Sequence, residues 1–399
     1  MADYTFNAFN EAAVQHVRNS GRTASAGNSD DRAPLFSRSD LDRAFDEISR
    51  WPDYRPTALL SLPGLAQSLN IAAIHCKDEG SRFGLGSFKA LGGAYAVSRL
   101  LAASANPASV TVTSATDGNH GLSVAWGAKA AGCRCVIFIH AQVSAGREQA
   151  LKSRGAEVIR IDGNYDESVR QCQVMANAND WAVVSDTSSN EAGSEVARTV
   201  MEGYSVMVAE IVEQLGGNIP SHVFVQGGVG GLAATVCEYF QIAWGAAAPR
   251  FVVVEPNRAP CLFQSASKGE RVCVEVSEET IMAGLSCGEV STVAWPTLAS
   301  FADDFLTIPD SVVAPTMRLL ADAPFGDPPI VAGESAVAGL AGFICAVEHA
   351  DLTEALRLNR DSRVLVIGTE GATDPVLYES MTGRSAASVS RANISEHPQ

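Results

Sequence analysis

Long hydrophobic runs are missing from this sequence. No stretch approaches the roughly 18 apolar residues that a membrane-spanning helix needs. The opening residues, Met1-Ala2-Asp3-Tyr4-Thr5-Phe6, contain no basic region leading into an apolar core, so neither a membrane nor a secretory signal is expected. A surplus of positive charge is missing as well. The 29 Lys and Arg against 45 Asp and Glu leave a net charge of −16. With no basic stripe, nucleic acid is not an expected partner, and neither is an anionic lipid surface. Nine cysteines form an odd set without a CxxC pair, Cys133-Arg134-Cys135 being the nearest approach, and no HExxH occurs. A structural zinc site or disulfide framework is therefore not expected, and no metal is assigned. Reduced thiols point to the cytoplasm.

What is present is a core-forming chain. Of its 399 residues, 46% are hydrophobic and only 19% charged, which excludes a largely disordered protein and suggests about two domains. Short β-branched runs at 110–113, 135–139, 157–161, 182–185, 222–226, 251–255 and 364–367 alternate with Ala- and Leu-rich stretches at 122–131, 194–215 and 231–244. Several runs are apolar on consecutive residues, as strands buried on both faces are. The expected class is α/β, with mainly parallel sheets between helical layers. No internal repeat is evident. The first 35 residues read as irregular, and the last 16, Ser- and Ala-rich, read as a loose tail.

Three segments carry candidate chemistry, each at a strand–helix or loop–helix junction. In Gly84-Leu85-Gly86-Ser87-Phe88-Lys89, Ser87 is a good N-cap. Lys89 then falls in a first helical turn, where the helix dipole disfavours a cation, as a Schiff-base lysine requires. Taken alone, it reads as a surface lysine near a helix start, and only its context favours the other reading. In Ser114-Ala115-Thr116-Asp117-Gly118-Asn119-His120-Gly121, small polar residues follow a strand where α/β proteins bind ligands. An Asx-rich turn capping the next helix is the plainer alternative. In Gln226-Gly227-Gly228-Val229-Gly230-Gly231, four glycines let backbone amides approach an anion at a helix N-terminus. The Walker ending is absent. Gly228-x-Gly230-x-x-Ala233, with Glu255 ending the next strand, also fits a dinucleotide fingerprint, so an NAD-dependent dehydrogenase stands as a reading from another class. Gly284-Leu285-Ser286-Cys287-Gly288 imitates a hydrolase nucleophile elbow but lacks the strand before it.

Taken in order, these segments resemble the pyridoxal-phosphate enzymes of fold type II, the tryptophan synthase β family. Val254-Glu255-Pro256 after the glycine loop adds to the likeness. Within that family, 82–95, 115–121, 282–289, 333–335 and 368–374 resemble the diaminopropionate ammonia-lyase group. The resemblance spans about 35 to 380. It implies two three-layer domains with the cofactor, pyridoxal 5′-phosphate, in the cleft between them: 1–95 with 221–399 as the large domain, and 96–220 inserted. It implies that Lys89 bonds the cofactor beside Phe88, that Asn119 meets its phenolic oxygen, and that Gly227, Gly228, Val229, Gly230 and Gly231 hold its phosphate. Thr369 would face the ring nitrogen. For the substrate, a small amino acid, it implies Thr116 and His120 at the carboxylate and Asp117 as the base for a D-isomer. Lys89 would serve the L-isomer, and Asp186 would sit at the departing β-ammonium. The implied reaction is α,β-elimination of 2,3-diaminopropionate to pyruvate and two ammonia, with a serine/threonine dehydratase as the alternative. A homodimer is implied, and Cys261 and Cys287 fall on segments near the active-site entrance.

Overall fold

The computed structural model describes residues 4–22, 34–102, 104–116, 118–188 and 193–396. The chain divides into two compact units. Unit 1 comprises 1–35, 56–81 and 208–399, and unit 2 comprises 36–55 and 82–207.

Unit 1 is built on a seven-stranded sheet. Its strands are β1 (Gln15–Arg18), β2 (Leu59–Ser61), β3 (Ala73–Asp78), β8 (His222–Gln226), β9 (Arg250–Pro256), β10 (Asp304–Ile308) and β11 (Arg363–Gly368). The spatial order is β1-β10-β9-β8-β11-β3-β2. The five inner strands are parallel, and β1 and β2 close the edges antiparallel. Phe224, Val252, Val254, Leu306, Val364 and Val366 are fully or almost fully buried, as expected of strands covered on both faces. The helix Ala338–Glu348 packs on them, and Phe343 meets Phe224 edge to face at 5.3 Å.

Unit 2 carries a four-stranded parallel sheet, β6-β5-β4-β7, from β4 (Thr111–Ala115), β5 (Arg134–Ile139), β6 (Glu157–Arg160) and β7 (Ala182–Val183). The sequence runs correspond to β4 through β9 and β11. β1, β2, β3 and β10 carry no such signal. Lys77 and Asp304 break the apolar pattern, and tertiary partners explain them. Lys77 Nζ, fully buried, lies 2.7 Å from Glu210 Oε2, while Asp304 takes Arg250 in a two-pronged pair and His16 at 2.8 Å.

Two terminal expectations change. The first 35 residues include β1, held by its register with β10 and by the His16–Asp304 contact. The last 16 residues include a helix, Ala386–Glu396, that buries Val389 completely. Both follow from docking rather than from local propensity.

Candidate functional site

In unit 2, Lys89 opens the helix Lys89–Leu101. The N-cap is Phe88, in helical geometry, rather than Ser87. Ser87 Oγ nevertheless accepts from the Lys89 N–H at 3.3 Å. The lysine Nζ is bonded to Asp186 Oδ2 and lies 5.4 Å from the centre of the Phe88 ring and 5.8 Å from that of Tyr204. Charge and aromatic faces thus offset the dipole of the helix start.

Asp186 follows β7, and its carboxyl is drawn two ways. Burial pushes it up. His120 and Lys89, both cationic at the acid pH where it titrates, pull it down further, so it stays well below the usual carboxylate range. His120 Nε2 lies 3.0 Å from the Val184 carbonyl, to which it donates. Its Nδ1 lies 3.8 Å from Asp186 Oδ2. Burial holds the imidazole below its ordinary value, so at neutral pH it is an uncharged ring aimed at the carboxylate. That geometry makes His120 a neighbour of Asp186 as well as a member of the polar loop.

The loop before His120 is shaped by Thr116, whose Oγ1 accepts from the N–H groups of Gly118 and Gly121 at 3.0 and 3.1 Å. Gly118, the N-cap of the helix Asn119–Ala131, has φ = 155°, and a side chain there would press on Arg147. Asn119 stands at the first helical position. Asp117 lies outside the described residues. Tyr204 is the neighbour of Lys89 that sequence reasoning missed. The adjacent Gly203, a glycine inside a helix, was the available signal of close packing.

In unit 1 the glycine loop follows β8 and opens the helix Gly231–Trp244. Gly228 and Gly230 have φ of 69° and 98°, left-handed values that a side chain would strain. A Cβ at Gly227 would overlap Glu255. The Gly227 N–H already donates to the Val254 carbonyl at 2.8 Å, so the amides of this loop that remain for an anion begin at Gly228. Between 221 and 236 there is no Lys or Arg. An anion at this loop would therefore meet oriented amides and a helix end rather than side-chain charge. Thr369 stands just past β11, buried.

Glu255 weighs against a dinucleotide. Its two carboxylate oxygens accept from the N–H groups of Leu262 and Phe263 at 3.0 and 2.7 Å. Fully buried, it is occupied in capping the helix Cys261–Lys268 and not presented to a ribose. Burial pushes its carboxyl up to about 8. Cys261 lies against it, Sγ 3.6 Å from Oε1. Among the described residues, which include all nine cysteines, there is no disulfide. The Gly284–Gly288 stretch is a short 3-10 turn, Ala283–Leu285, with no strand before it, so the elbow-like pattern is not an elbow.

Two features, described unit by unit, suit pyridoxal phosphate. Unit 2 has an amine at a carboxylate, and unit 1 a glycine-rich loop whose amides from Gly228 onward lead into a helix start. The residues fit that group. Among the described residues no cluster of His, Cys, Asp or Glu suits a metal ion, and no helix is long and apolar enough to cross a membrane.

Residues 50–370 match the family described as "Pyridoxal-phosphate dependent enzyme". The chain is 38% identical to diaminopropionate ammonia-lyase of Escherichia coli over 370 residues, covering 88% of this chain and 92% of that protein. It is 36% identical to the Salmonella typhimurium enzyme of that name, covering 84% and 90%. The crystal structure of the Escherichia coli enzyme in complex with an aminoacrylate-PLP azomethine reaction intermediate superposes with a TM-score of 0.85 at 36% identity, covering 93% of this chain and 97% of that one. The same enzyme has been solved in complex with D-serine, also with a TM-score of 0.85 at 36% identity, and the same shares of the two chains are covered.

Proposed function

This chain belongs to the pyridoxal-phosphate dependent enzyme family, in its diaminopropionate ammonia-lyase group, and from that premise we propose that it eliminates ammonia from 2,3-diaminopropionate. The overall change consumes one water and yields pyruvate and two ammonia. The observation that carries the reading is Lys89, at a helix start, paired with Asp186 and flanked by Phe88 and Tyr204.

When bound, pyridoxal phosphate supplies an electron sink for the carbanion left at the substrate α-carbon. The protein does the rest. The Lys89 amine would hold the cofactor and, as a free amine, would take the α-proton of the L-isomer. Phe88 packs beside it. Asp117 is the base proposed for the D-isomer. Asp186, kept ionised by its surroundings, balances the positive charge of the departing β-ammonium. Thr116 holds the shape of the loop whose amides take the substrate carboxylate, and His120 flanks that loop. Asn119 takes the phenolic oxygen of the cofactor. The amides of Gly228, Val229, Gly230 and Gly231 take its phosphate, Gly227 setting their position through its sheet bond. Thr369 offers a neutral hydroxyl to the ring nitrogen.

The purified enzyme should form pyruvate from at least one isomer of diaminopropionate much faster than from D- or L-serine. Preference for serine would instead assign a dehydratase. We also propose a cytoplasmic homodimer. Nine cysteines without a disulfide support the compartment, and the family likeness supports the dimer. Sedimentation of the holoenzyme at about twice the mass of one 41.8 kDa chain is the expected result.

A further inference from the structure

The helix carrying Lys89 and the helix Ser194–Leu215 meet at glycines. A Cβ on Gly203 would lie 2.5 Å from the Leu91 carbonyl oxygen and 2.9 Å from Gly92 Cα. A Cβ on Gly92 would overlap the Tyr204 ring. This close approach seats the Tyr204 ring against Phe88, centroid to centroid 4.7 Å, and beside Lys89. The residue is 1% exposed, yet its hydroxyl has no well-formed hydrogen bond. Leaving such a group unsatisfied costs about 1–3 kcal/mol. A phenylalanine would fill the same notch without that cost, so the oxygen calls for a partner.

The donor set beside that ring is Lys89, its Nζ 5.8 Å from the ring centre. Its ammonium has three N–H groups, and Asp186 accepts one of them. Asp186, His120 and Tyr204 all interact with it electrostatically, and the His120 ring lies toward Asp186. We propose that Tyr204 is a positioning residue for Lys89, its hydroxyl oxygen accepting a second Nζ–H bond so that the amine is fixed between Asp186 and Tyr204. The role goes beyond the residues assigned above and rests on the reading of Lys89 as the cofactor-bonding lysine.

The test reads Lys89 directly. Cofactor-free protein is acylated with acetic anhydride across a pH series, and labelling of the Lys89 peptide is quantified by mass spectrometry. Tyr204→Phe keeps the ring and removes only the hydroxyl. Losing a hydrogen bond to the charged form should move the labelling midpoint down by about one pH unit, so that below the midpoint Lys89 reacts about tenfold faster. An unchanged midpoint overturns the proposal. Tyr204→Leu removes ring and hydroxyl together and should shift at least as far. A shift in Leu but none in Phe would assign the effect to the ring face and overturn the hydroxyl role. Pyridoxal phosphate added to the wild-type protein should protect Lys89 from acylation. If it does not, the cofactor-lysine reading fails, independently of the Tyr204 result.

Discussion

Glu255 carries the clearest pH signature of the folded chain. Burial lifts its carboxyl from 4.5 to about 8, against the pull of two backbone N–H groups and the Cys261 thiol. The folded state therefore keeps a proton that the unfolded chain releases. That stability is fully present below the unfolded value and is lost as pH climbs toward about 8, on the order of a few kcal/mol in all. Glu255→Gln should flatten this slope, which urea melts at pH 5, 6, 7 and 8 would register; an unchanged slope would place its origin elsewhere. Lys89 makes a different prediction. Lys89→Ala should bind pyridoxal phosphate without a covalent link, so borohydride reduction should leave no cofactor on the 82–95 peptide. A reduced adduct on another lysine would move the bonding residue.

At the level of elements, close approach does the positioning. The helix Lys89–Leu101 also presses Gly93 on Ser123, whose Oγ accepts from the Ala94 N–H at 2.9 Å and donates to the Ala90 carbonyl at 3.2 Å. A methyl group at Gly92 would run into the Tyr204 ring and Val200. Gly92→Ala should destabilise unit 2 by about 1–3 kcal/mol, the usual cost of overpacking, and should disturb Lys89 before it disturbs the glycine loop. A denaturant midpoint unchanged from wild type would show that the notch is slack. The sequence marks these glycines but not their partners. Lys89 and Tyr204 are 115 positions apart, and only helix packing makes them neighbours.

For the whole molecule, ligand binding and stability are linked. Pyridoxal phosphate binds the folded chain alone, so at a hundredfold excess over its Kd it should add about 2.7 kcal/mol, read as a rise in Tm. Pyridoxal without the phosphate should add less at equal concentration, because the amides from Gly228 onward then have no anion. Equal shifts would remove the glycine loop from the site.

The sequence by itself determined the α/β class, the buried parallel strands, the glycine cradle and the lysine at a helix start, because hydrophobic periodicity, glycine and helix-start chemistry are local signals. It said little about β1, β3 or β10, where Asp304 and Lys77 become legible only with Arg250, His16 and Glu210 beside them. Tertiary structure decided which long-range partners meet: Asp186 and Tyr204 at Lys89, Glu255 on a helix end rather than open to a ribose, and His120 turned toward a carboxylate. It also placed residues 36–55 in unit 2. Burial and side-chain pairing across a hundred residues leave no periodic trace in a chain, so they exist only once the elements have packed.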